Sequence, residues 1–264
     1  MTKGLGEEAY TIIETMIFLA VSAFLFTMVV ITFSSQQGKT QFDQSVKDFE
    51  SRLLDLTNDV SSGYYPSNNN FSCRGDAAAA VVTFPAGSTP RGENAGCILA
   101  GQVIAFTTGS ANYTVTPLAG KQQKLVGTEK VEVVNLKEAN PVPISSSVVT
   151  ERTNYSIPIT RITANNGVTT SNIDKIAIMT TFGSYTGVDL NSGDIHVDII
   201  PLNGSLPSSG NEWDTAEATK NPAGGIVICM QDGSGSNARR GVITMGGSGR
   251  QMTITTTIGS GVCP

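Results

Sequence analysis

Glu14 is the only charge in residues 12–33, a run that otherwise lacks Gly, Pro, Lys and Arg. A carboxylate costs about 2.5–3.5 kcal/mol at the centre of a bilayer and less toward its edge, so in such a run it calls for a partner or a function. Sulfur is the second chemistry on offer. The four cysteines, Cys73, Cys97, Cys229 and Cys263, form no CxxC, and with one histidine in the chain a zinc site is not expected. Disulfides are expected instead, and they call for an oxidising compartment. Of the possible connectivities we favour Cys73 with Cys97 and Cys229 with Cys263, because each pair brackets a short segment that it can staple.

Other reactive residues have simpler explanations. Asp194, His196 and Asp198 alternate along one expected strand and share a face, but no fourth metal ligand is identifiable, and a solvated strand face accounts for them. The loop from Asp232 to Asn237 lacks the closing glutamate of a calcium loop and reads as a hairpin turn. The lone histidine has no G-x-S-x-G partner, and no Gly-rich phosphate loop opens an expected helix. We therefore expect no enzyme activity, no metal and no cofactor.

These residues must be positioned by two kinds of element. Residues 12–33 would make a helix about 33 Å long at ~1.5 Å per residue, enough to cross a bilayer core of roughly 30 Å. A cleaved secretory signal fits less well, because its apolar region is only about 7–15 residues and ends at a small-residue exit that this sequence lacks. Beyond residue 33 the helical signal continues. Phe42, Val46, Phe49, Leu53, Leu56 and Val60 recur at alternating spacings of four and three, placing six apolar side chains on one stripe. No proline interrupts before Pro66, so one helix over 10–60 is expected, its first part (10–33) facing lipid or other helices and its second part (34–60) facing a sheet.

After Asn68, Asn69 and Asn70 the texture changes to short apolar runs between turn clusters, as in an antiparallel β domain. Strands are expected near 79–84, 98–106, 113–117, 130–136, 155–162, 173–181, 195–202, 226–230, 242–245 and 252–258, with no second strong helix. Lys130 to Val133 and Asp194 to Ile199 alternate polar and apolar, which predicts one wet and one buried face. The turn at Asn140 and Pro141 is a candidate boundary between two sheets. With 39% hydrophobic and only 15% charged residues the chain can bury a core, and a net charge of −5 gives no global attraction to nucleic acid or anionic lipid. The fold class read from this pattern is α+β, a long N-terminal helix packed on an antiparallel β domain at 61–264.

The run Ala9, Tyr10, Thr11, Ile12, Ile13, Glu14, Thr15, Met16, Ile17 resembles the class III signal of type IV prepilins, in which a prepilin peptidase cuts before an aromatic residue and the fifth mature residue is glutamate. The resemblance implies a leader at 1–9, cleavage between Ala9 and Tyr10, and N-methylation of Tyr10. It also implies an assembly role for Glu14, paired with the new α-amino group of a neighbour's Tyr10. Ala9 stands where the family usually has glycine. Implied with these are a homo-oligomeric helical filament, an assembly platform and ATPase, and passage from the inner membrane as a single-pass precursor to a cell-surface pilus.

A second, weaker resemblance lies in Ile226 to Cys229, then Arg240 to Thr244, and Gly249 with Arg250, which is similar to the C-terminal region of GspH/FimT-type minor pilins. Some of that group bind DNA through a Gly-Arg-x-Arg motif, here lacking its second arginine. Arg239, Arg240 and Arg250 are the candidate nucleic-acid contacts, and solvated hairpin-tip arginines are the simpler reading. The function expected is thus a structural pilus subunit. The alternatives are a minor pilin or pseudopilin binding DNA or secretion cargo, and an uncleaved, signal-anchored surface receptor.

Overall fold

The computed structural model describes residues 11–63, 72–74, 81–83, 97–181, 197–233, 238–246, 253–259 and 263. The chain falls into two compact units, Met1–Phe42 and Asp43–Pro264. The long helix α1 runs over Ile12–Ser61. Nothing in its sequence breaks it until Gly63, whose left-handed backbone (φ 66°) closes the last turn through a bond from its N–H to the Val60 carbonyl. All six residues of the expected stripe are buried, and from Phe49 the stripe meets the rings of Phe106 and Tyr113, both in edge-on geometry with centroids 6.4 and 5.2 Å away.

Among the described residues every β pairing is antiparallel. One sheet has the order β12 (Val197–Leu202), β11 (Lys175–Thr180), β3 (Cys97–Phe106), β4 (Asn112–Lys121), β7 (Val142–Pro143), with β8 (Val149–Arg152) also beside β4. A second has the order β10 (Thr170–Asn172), β9 (Ile159–Asn165), β13 (Ile226–Asp232), β14 (Arg239–Met245), β15 (Ile254–Ile258). Two small ladders join β1 (Ser72–Arg74) to β2 (Val81–Thr83), and β5 (Gln123–Val126) to β6 (Glu129–Glu132). The first sheet draws strands from both sides of Asn140, and that residue caps a short helix, α2 (Leu136–Ala139), in the left-handed conformation.

Register explains the core. Val103, Ala177 and Ile200 lie opposite one another across β3, β11 and β12, all on one face. Over them sit Leu136 of α2 and Trp213 of α3 (Gly210–Glu217), the indole fully buried with its Nε1–H donating to the Pro141 carbonyl at 2.9 Å. Gly210 lets α3 approach α2, since a Cβ there would collide with the Lys137 carbonyl. In the second sheet Ile162, Ile228 and Ile243 align across β9, β13 and β14 and are buried. Ile199 of β12 reaches Gly246, where an added Cβ would stand 2.6 Å from Ile199 Cδ1.

Three expectations are corrected. The strand near 130–136 is shorter and does not bury one face: β6 is exposed along its length and, among the described residues, pairs with β5 alone, while residue 136 begins a helix. The strand near 155–162 starts late, since Asn154–Ser156 is a 3-10 turn with Tyr155 and Ser156 at positive φ before β9 begins. Finally, α3 is a short helix where no element was expected. Its one fully buried residue, Trp213, gives little periodic signal, although its N-cap Ser209 and Glu212 are in the sequence.

Candidate functional site

The first candidate is the apolar surface of α1. Residues 12–31 are exposed throughout, including Ile12 at 80% and Phe26 at 70%. The helix is long and apolar enough to cross a membrane. Two of its hydroxyls are satisfied locally: Thr15 and Thr27 each donate to the carbonyl three residues back, Ile12 and Phe24, at 2.8 Å. That suits a surface meant for lipid or for other apolar helices, where a free hydroxyl would be penalised.

Glu14 sits in the first turn and has a partner in its own chain. Its carboxylate Oε2 accepts from the Thr11 N–H at 3.0 Å and from the Thr11 hydroxyl at 3.1 Å, while the Glu14 N–H donates back to Thr11 Oγ1 at 3.4 Å. This is a capping box, which satisfies backbone donors that a helix start leaves unpaired and places negative charge at the positive end of the helix dipole. The Thr-x-x-Glu spacing that announces it is readable in the sequence. Ala9 and Tyr10, the expected cleavage and methylation positions, lie outside the described residues.

A second feature joins the lower half of α1 to the first sheet. Arg52 donates a fork to Glu151 of β8, Nε to Oε2 at 2.9 Å and Nη2 to Oε1 at 2.5 Å, and the Tyr113 hydroxyl of β4 donates to the same Oε2 at 2.7 Å. Close by, Ser45 donates to the Asn154 carbonyl at 2.7 Å, Asn154 donates to Asp48 at 2.7 Å, and Tyr155 donates to Gln44 at 3.0 Å. Burial opposes charge on Glu151, yet the bonds from Arg52 and Tyr113 outweigh it and hold the carboxyl below the usual glutamate range. The bond to Glu151 raises the Arg52 guanidinium, and burial followed by the same carboxylate pushes the Tyr113 phenol up. A groove of about 310 Å³ lies beside this clasp, lined in part by Asp48, Arg52, Asp55 and Arg152. Sequence reasoning missed the clasp, because Arg52 and Glu151 are 99 residues apart.

The cysteines divide unevenly. Cys97, at the start of β3, is disulfide-bonded, whereas the side chain of Cys73 lies outside the described residues. Cys229 and Cys263 are brought together as expected but are two free thiols. Among the candidate nucleic-acid contacts, Arg239 and Arg240 are neighbours in β14 and therefore point to opposite faces, so they do not form one patch. Arg239 lies 4.0 Å from Asp232, and Arg250 lies outside the described residues. Asp194 and His196 also lie outside them. Asp198 is engaged by Lys220 at 3.1 Å and by Asn221 at 2.5 Å, and no cluster of metal-ligating side chains occurs among the described residues.

No protein-family model matches the chain, and neither the curated proteins nor the solved structures contain a significant match. What is established here is the layout: a long N-terminal apolar helix followed by a β-rich, antiparallel domain, with one described helix able to span a membrane.

Proposed function

We propose that this chain is a type IV pilin-like subunit, cut between Ala9 and Tyr10, N-methylated at Tyr10, and assembled through its N-terminal helix into a surface filament. The observation that carries the reading is the division of α1: an apolar surface exposed over residues 12–31, followed within the same helix by a buried stripe. A subunit held in a filament by helix-to-helix packing needs such a division, with lipid covering the upper half before assembly and other copies covering it afterwards. Glu14 then exchanges its bonds to Thr11 for a neighbour's α-amino group, which favours one axial register over others. The implied partners are further copies of the chain, a prepilin peptidase and an assembly platform with its ATPase.

The capping box favours a second reading. Because Glu14 is satisfied by Thr11, an anchored surface protein that never assembles also accounts for this carboxylate. N-terminal mass spectrometry on sheared surface filaments separates the two. A start at N-methyl-Tyr10 is expected; intact residues 1–9, with nothing in the shear fraction, would sink the filament reading.

A further inference from the structure

Cys229 lies in β13 directly opposite Arg161 of β9 and Val242 of β14. Side chains paired in this way stand on one face about 4.5–5.5 Å apart, and Arg240, two residues from Val242, is on that same face. Onto this face comes Cys263, its sulfur 3.8 Å from the carbonyl of Gly241 and in direct interaction with the Cys229 thiol. The two thiols differ in access, since Cys229 is 2% exposed and Cys263 is half-buried. One thiol is reachable, the other shielded, and two guanidinium groups share their face.

From this arrangement we propose that Cys229 and Cys263 are a thiol–disulfide exchange site, in which Cys263 is the attacking thiolate and Cys229 the resolving thiol. The co-reactant is a disulfide. Cys263, having lost its proton, attacks one sulfur of the incoming disulfide; that S–S bond breaks, a mixed disulfide forms on Cys263, and the first thiolate leaves. Cys229 then gives up its proton and attacks the Cys263 sulfur, expelling the second thiolate. In sum, the protein dithiol is oxidised to one disulfide and the incoming disulfide is reduced to two thiols. The electrostatics agree with this order: a hydrogen bond from Cys229, with help from Arg240 and Arg161, lowers the Cys263 thiol, whereas the bond to Cys263 and then burial raise Cys229. The product ties residue 263 to β13 across β14, enclosing the edge strand β15 in the cross-linked loop.

This inference does not depend on the filament reading. The test uses the full chain in detergent with oxidised glutathione as the probe, followed by intact-mass and peptide mapping over time. Wild-type protein is expected to show glutathione on Cys263 first and then to lose it as the internal disulfide closes. C229A should stop at glutathionylated Cys263, and C263A should react at Cys229 at least about tenfold more slowly. Hydrogen exchange in β15 should slow by about 30-fold on oxidation. The wild-type time course needs no variant to fold. First modification at Cys229, or a mixed disulfide that never resolves, would overturn the proposal.

Discussion

The Glu14 carboxylate accepts both the N–H and the hydroxyl of Thr11, so the one charge in the apolar run is tied to the residue that begins its own helix. Capping and assembly make different demands on this pair. T11A removes the hydroxyl but keeps the charge, and should weaken the first turn by about 1 kcal/mol, read as faster amide exchange over residues 12–15. Filament yield should survive T11A and fall to background in E14A. Equal loss in both variants would mean that capping alone explains the glutamate.

The clasp between α1 and β8 predicts a pH dependence of known sign. The Glu151 carboxyl is held below its ordinary range in the folded protein, so the unfolded state binds more protons as the pH falls through that range. Stability from the clasp is therefore complete above about pH 5 and is lost progressively below the unfolded glutamate value of about 4.3. Melting of the wild type should drop more steeply than that of E151Q between about pH 5 and 3. R52M, which leaves the carboxylate half-buried without its fork, should lower stability at neutral pH and flatten the acid limb. Parallel pH curves for wild type and E151Q would remove the clasp as the cause.

At Gly246 two constraints coincide, a left-handed backbone (φ 86°) and the approach of Ile199 Cδ1. G246A is expected to destabilise by about 1–3 kcal/mol, read from denaturant midpoints. I199V trims the offending methyl and should recover part of that loss in the double variant, but not the part due to φ. Full recovery would assign the whole cost to the clash, and none would assign it to the backbone.

Much of the architecture was legible locally. The span of α1 is set by a run without proline, and its buried stripe by apolar residues at alternating four- and three-residue spacing, properties carried by near neighbours in the chain. The same holds for β3, β11 and β12, whose apolar runs lie between turn residues, and for the Thr11–Glu14 box, whose partners are three residues apart.

What stayed hidden depends on partners far apart in sequence. Lys130 to Val133 alternates like a half-buried strand, yet Val131 is exposed in β6 and Val133, past the strand's end, is buried, and only the tertiary structure decides what lies against a strand. Arg52 reads as one more charge on the wet side of a helix until Glu151 and Tyr113 are placed against it, and Trp213 as a lone aromatic until Pro141 and the Val103 face close around it. Periodicity reports which side of an element is apolar; it carries no information about which other element will cover that side. By itself, then, the sequence determined the membrane-length helix, its buried stripe and the β character of the rest. The fold decided the order of the sheets and the clasp that ties the helix to them, because each rests on contacts that chain neighbours do not encode.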